Sequence, residues 1–183
     1  GDTDWNQVGN DTDETVAINS LDTAKDSGLA WGVIVGYQFS KLFAVEGNFT
    51  RFARTTVNLD PLTIYQFPPY NLKELSFKSS TETYLLLFKV MVPFAFNNNL
   101  NFMVNVGFGS ILRSDPLRKT SRLAPSFGAG FNYDMTKRVF SEVGFQYTPG
   151  FGRATETPLI DYIPFVYSIH YKLGLRFPLF YET

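Results

Sequence analysis

The chain contains no cysteine, so neither disulfides nor thiolate metal sites are open to it. Long apolar runs are missing too. None approaches the roughly 18 residues that a membrane-spanning helix needs. Charge of one sign is not in excess: the formal net charge is -1, which gives no argument for binding nucleic acid. Charged residues of all kinds make up only 18% of the chain, and histidine occurs once, as His170. No G-x-S-x-G nucleophile elbow is present. No secretory signal is visible at the start, so for an exported protein the expectation is a mature or trimmed chain.

Aromatic residues, in contrast, are abundant, with 19 phenylalanines and 10 tyrosines in 183 residues. That usage suits strands and the aromatic girdles of membrane interfaces. A mean hydropathy of -0.07 does not argue against a membrane, because a barrel strand turns only alternate residues to lipid.

The pattern is clearest in 123–151, LAPSFGAGFNYDMTKRVFSEVGFQYTPGF, which predicts two strands joined by a tight turn at Thr136, Lys137 and Arg138. Leu123, Pro125, Phe127, Ala129, Phe131 and Tyr133 point one way, and Ala124, Ser126, Gly128, Gly130, Asn132 and Asp134 the other. On the second strand Val139, Val143, Phe145 and Tyr147 oppose Glu142, Gly144, Gln146 and Thr148. Alternation is common to soluble and membrane strands; the contents of the two faces discriminate. In a soluble barrel bulky apolar groups fill the inside and polar groups meet water. Here the polar face is glycine-rich and carries a lone carboxylate, Glu142, among small residues. That suits a narrow interior, with the aromatic face turned to lipid. The expected fold is all-β, an antiparallel transmembrane β-barrel of about eight strands in a single domain.

Elsewhere the same pattern recurs. Leu29, Trp31, Val33, Val35, Tyr37 and Phe39 share a face, and a Ser40-Lys41 turn leads to outward Phe43, Val45 and Phe49, with Ala44, Glu46, Asn48 and Thr50 inward. Tyr84, Leu86, Phe88, Val90, Val92 and Phe94 oppose Thr83, Leu85, Leu87, Lys89 and Met91, the least polar inward face. Leu100, Phe102, Val104, Val106 and Phe108 follow, with Asn101, Met103, Asn105, Gly107 and Gly109 inward. The last strand places Phe165, Tyr167, Ile169, Tyr171, Leu173, Leu175 and Phe177 outward and Val166, Ser168, His170, Lys172, Gly174 and Arg176 inward. Residues 1–28 are expected to be an external loop, and 29–177 the barrel. Residues 55–76, with Asp60-Pro61 and Pro68-Pro69, read as a long loop. Seven full strands result, and single-chain bacterial barrels have even numbers. The expectation is a first strand missing or truncated upstream of Gly1. The alternatives are that residues around Val16 complete the sheet or that the chain is a fragment.

In LAWGVIVGYQFSKLFAVEGNF, LLFKVMVPF, LNFMVNVGFG, LAPSFGAGFNYDMTKRVFSEVGFQY and YKLGLRF, about two thirds of the chain, the sequence resembles the OmpA-type eight-stranded outer-membrane barrel. With GAGFNYDMTKRVFSEVGFQYTPGFG and DYIPF it also looks like OmpA-like surface proteins of intracellular gammaproteobacteria such as Legionella. The resemblance implies a bacterial outer-membrane location and a lumen closed by inward charges. By position Glu46 and Lys89 match that cluster, whereas Asn132 stands where the family has an acid and Glu142 where it has a base. Lys172, Arg176 and Arg113 are then candidates for compensating charge. The family's peptidoglycan-binding domain has no counterpart in these residues, and its terminal aromatic signal is matched by Phe177 or Phe180.

The candidate lumen charges are therefore Glu46, Lys89, Glu142, Lys172 and Arg176, which either fill the interior or line a pore. The candidate lipid-facing girdle is Trp31, Tyr37, Phe43, Tyr84, Phe127, Tyr133, Phe145, Tyr147, Tyr167, Tyr171 and Phe177. Ser168 and His170 share a face as in lipid-modifying hydrolases, but they point into the lumen, away from a lipid substrate. The acidic run Asp2, Asp4, Asp11, Asp13 and Glu14 lacks the glycine and closing glutamate of a calcium loop. Tyr65, Phe67, Tyr70, Tyr162 and Phe151 are either an adhesive patch or headgroup anchors. The expected role is non-catalytic, without cofactor or metal: a structural and surface-display protein amid outer-membrane lipids and lipopolysaccharide, its external loops meeting host-surface or envelope partners. A narrow channel for small solutes, a lipid-modifying hydrolase and a soluble lipocalin-like carrier are the rival readings.

Overall fold

The computed structural model describes residues 2–4, 21–25, 28–59, 76–116, 119–151 and 163–177. Among them there is no helix. The strands are β1 (Asp2–Asp4), β2 (Leu21–Lys25), β3 (Trp31–Gln38), β4 (Phe43–Arg51), β5 (Thr55–Leu59), β6 (Ser76–Phe94), β7 (Asn97–Ser114), β8 (Lys119–Asp134), β9 (Val139–Thr148) and β10 (Phe165–Leu175). They form one antiparallel sheet in the order β1-β10-β9-β8-β7-β6-β4-β3, with β5 beside β6 and β2 beside β5.

Short connections at 39–42, 95–96 and 135–138 lie at one end of the sheet. Side chains close these turns locally. Ser40 Oγ accepts from the backbone N–H groups of Leu42 and Phe43, and Thr136 Oγ1 accepts from those of Arg138 and Val139. Each turn pins the register of its hairpin, which decides the face that every following residue occupies.

The faces separate as bulky-out and small-or-polar-in. Phe88, Phe102, Phe127, Phe145 and Leu173 are exposed on the outside, while Leu87, Met103, Ser126, Asn132 and Glu142 are buried inside. Outward rings meet across strands: Phe43 stacks on Phe88 at 5.7 Å, and Phe49 lies tilted against Tyr84 at 4.9 Å. Inward glycines make room for neighbouring chain. A Cβ at Gly107 or Gly109 would collide with the Leu86 or Tyr84 carbonyl oxygen.

The sheet curls on itself. Five strand-to-strand steps separate β10 from β4, about 24 Å along a flat sheet at roughly 4.8 Å per step. Yet Lys172 Nζ on β10 lies 3.5 Å from Glu46 Oε2 on β4. The inward face is therefore the interior of a barrel, and the aromatic face is its outside.

Two stretches expected to be loops carry strands. Residues 1–28 include β1, paired to β10, and β2, paired to β5. Residues 55–76 include β5, which carries the path of β4 further along β6 after an interruption at 52–54, and the start of β6 itself. The strand runs TTVNL and SFKSST have hydroxyls on both faces and little contrast between them, so periodicity does not announce them. As a result β6 and β7 reach 19 and 18 residues, about 60 Å of strand, well past the 9–11 residues that cross a bilayer. Val16, the acids Asp11, Asp13 and Glu14, the aromatics Tyr65, Phe67, Tyr70 and Tyr162, and Phe180 lie outside the described residues.

Candidate functional site

Each inward charge near the middle of the barrel comes from a different strand: Glu46 from β4, Lys89 from β6, Glu142 from β9 and Lys172 from β10. Glu142 and Lys172 are direct cross-strand partners, so pairing alone puts them side by side. Lys89 sits two residues beyond Leu87, the partner of Glu46, so it meets that carboxylate on the diagonal. Gly36, opposite Glu46 on β3, leaves room for the glutamate: a Cβ there would lie 2.9 Å from its Cγ.

The four charges close into a ring of alternating sign. Lys89 Nζ donates to Glu46 Oε1 and, at 2.7 Å, to Glu142 Oε2. Lys172 Nζ lies 2.6 Å from Glu142 Oε1 and 3.5 Å from Glu46 Oε2. His170 Nε2 adds a contact to Glu142 Oε1 at 3.3 Å. Lys89 is 2% exposed and Glu142 fully buried. Ions this dry are tolerable only when each has partners. Here every carboxylate touches two ammonium groups and every ammonium two carboxylates.

Apolar layers flank the ring. Towards the short-turn end Ala44, Met91 and Met103 pack together, and towards the other end Phe52, Ile111, Ala124, Ile163 and Val166 do. Between ring and upper layer, Gln146 Nε2 donates to Ser126 Oγ at 2.7 Å, and Ser126 shares a hydrogen bond with Thr148 Oγ1 at 2.7 Å.

Two candidate charges stand elsewhere. Arg176 does not join the ring; its guanidinium binds Asp134 Oδ1 at 2.7 Å and Asn132 Oδ1 at 3.4 Å near the short turns, and lies over the Phe140 ring. It stands four residues past Lys172, roughly 13 Å further towards the short turns, too far to join the ring. Arg113 is buried at the opposite end, against Asp115 at 2.5 Å, and Ser79 donates to the same carboxylate. Sequence reasoning missed His170 as a neighbour of Glu142, as well as Asp134 and Asp115. Glu142 and Arg176, the partners of His170 and Asp134, are far from them in sequence, where spacing carries no register, whereas Asp115 stands two residues from Arg113, just past the end of β7.

The girdle candidates Trp31, Tyr37, Phe43, Tyr84, Phe127, Tyr133, Phe145, Tyr167, Tyr171 and Phe177 are exposed on the outside, and Tyr147 is half-buried there, stacked on Phe165. Ser168 lines a cavity of about 480 Å³ together with Asn48, Gln146, His170 and Lys172. Among the described residues no cluster of side chains has the make-up of a metal site.

A curled antiparallel sheet with rings outside and a neutralised charged layer inside defines a transmembrane β-barrel. The chain belongs to the outer membrane protein beta-barrel domain family, which matches residues 3–177, and its place is the bacterial outer membrane. No curated protein matches it.

Proposed function

We propose that this barrel conducts nothing and instead serves as a structural wall element that displays sheet at the cell surface. The observation that carries the reading is the stack inside: a ring of paired charges between two apolar layers. A solute passing through must separate buried ion pairs and wet both layers, each step costly without water. Its working surfaces are then outside. The aromatic face suits outer-membrane lipids and lipopolysaccharide, and the parts of β6 and β7 beyond the bilayer suit host-surface or envelope partners. No catalytic step is assigned, because Ser168 and His170 face inward and the imidazole is engaged with Glu142.

One observation favours a narrow channel: the 480 Å³ cavity reaches Lys172 and His170 from one side of the ring. Planar-bilayer recording separates the two readings. The proposal expects no stepwise conductance in the native chain; regular steps at that baseline would establish the channel. Display is read by single cysteines in this cysteine-free chain. Lys78→Cys is expected to react with an impermeant maleimide on intact cells, and Lys137→Cys only after permeabilisation. Equal labelling of both would remove the display role.

A further inference from the structure

Away from the short turns, β8 outruns one of its neighbours. The pairing of β8 with β9 reaches only to Phe127 opposite Tyr147, and past Thr148 the chain bridges Ile163 through Phe151. β8 extends as far as Lys119, paired with β7 over that whole length. Among the described residues nothing pairs with its other edge at 119–125, about 20 Å of strand at roughly 3.3 Å per residue.

Burial marks the same opening. Inward Ile111 and Arg113 of β7 are fully buried, yet their β8 partners on the same face differ: Arg122 is exposed and Thr120 half-buried. Lys119, Ser121 and Leu123 on the outward face are exposed as well. A strand edge with unmet N–H and C=O groups is a template for another strand. Pro125, which has no N–H to give, bounds this one at its lower end.

Two bases set the sign of the edge. The Arg122 guanidinium lies 3.3 Å from the centre of the Phe151 ring, and stacking holds its fork in place with donors still available to a carboxylate. Lys119 stands three residues away on the opposite face. Among the described residues neither base is paired with an acid. Asp115, just across the β7–β8 turn, is engaged by Arg113 and Ser79.

We infer that the 119–125 edge of β8 is a docking site for an extended acidic segment of a partner protein, added to the sheet as a further strand. Backbone pairing supplies contact without reading sequence, and the two bases select carboxylates. A second copy of this chain is the poorer occupant. Antiparallel pairing of two such edges sets Lys119 and Arg122 of one against those of the other, like charge facing like. The inference rests on the reading that this end of the barrel is displayed at the cell surface. The edge itself is tested in detergent, where sidedness plays no part.

The probe is a short peptide of alternating valine and threonine carrying two glutamates, with a counterpart carrying two lysines, each titrated into the native protein. The glutamate peptide is expected to bind about 10-fold tighter or more, since the lysine one sets like charges together. It is also expected to slow hydrogen exchange of alternate amides from Lys119 to Ala124. Arg122→Gln should narrow the preference and Arg122→Glu reverse it. Equal affinity for the two peptides, or none for either, would refute the proposal, as would binding that leaves those amides unchanged. Slow exchange of the same amides in the protein alone would mean that the chain covers its own edge, and overturn it too. Ready disulfide formation between two copies of Ser121→Cys would give the edge to a second copy instead. Failure of Lys78→Cys to label on intact cells, with the peptide results standing, would remove the surface reading and leave the edge.

Discussion

The back wall of the barrel, β6 to β9, and its edge strand β3 carry the same kind of inward face, yet only the wall is dry. On the wall Asn105, Ser126, Asn132, Glu142 and Gln146 are all buried, whereas on β3 Gly32, Gly36 and Gln38 are exposed. The difference lies in neighbours. A wall strand has a partner on each side and side chains across the lumen; among the described residues β3 has one partner. Inside and outside are thus properties of closure, and the residue pattern only says which face is ready for which.

The largest expected departure comes from opening the ring on its wall side. Lys89→Ala leaves Glu46 and Glu142 facing each other with one ammonium fewer, and removing one member of a buried pair costs about 3–5 kcal/mol. Urea unfolding in lipid vesicles, followed by tryptophan fluorescence, measures this. A loss below about 1 kcal/mol would mean the lumen is wetter than its burial suggests.

A matched pair of truncations probes the contrast directly. Leu87→Ala empties a fully buried wall position and is expected to cost about 2–5 kcal/mol. Ile34→Ala, half-buried on β3, is expected to cost under about 1 kcal/mol. Equal costs for the two would erase the distinction between wall and edge.

The smallest effect belongs to the rim. Arg51 and Glu82 pair at 3.5 Å with substantial exposure, so Arg51→Ala should change stability by about 0–1 kcal/mol, and less in high salt. The effect of Lys89→Ala should be nearly insensitive to salt, since a buried pair is little screened.

Much of this was legible in order along the chain. The outward rings, the inward glycines and the tight turns follow from a period of two, which survives translation into structure because a strand has no other way to place side chains. The polar strand β5 and the first part of β6 were not legible, because threonine and serine on both faces remove the contrast that periodicity measures, and β2, LDTAK, is too short to show a period. Among site residues, Glu46, Lys89, Glu142 and Lys172 could be assigned to the interior. Arg176 could be assigned to the same face but not to the same level, and it belongs with Asp134.

What the amino-acid order determined by itself is the face of each residue, since alternation along a strand is local and needs no partner. Which of those residues meet was decided only by the tertiary structure. Lys89 reaches Glu142 from three strands away, and Lys172 reaches Glu46 from five, because curling brings distant strands within a side chain's length. That curvature is a property of the assembled sheet, and no single strand encodes it.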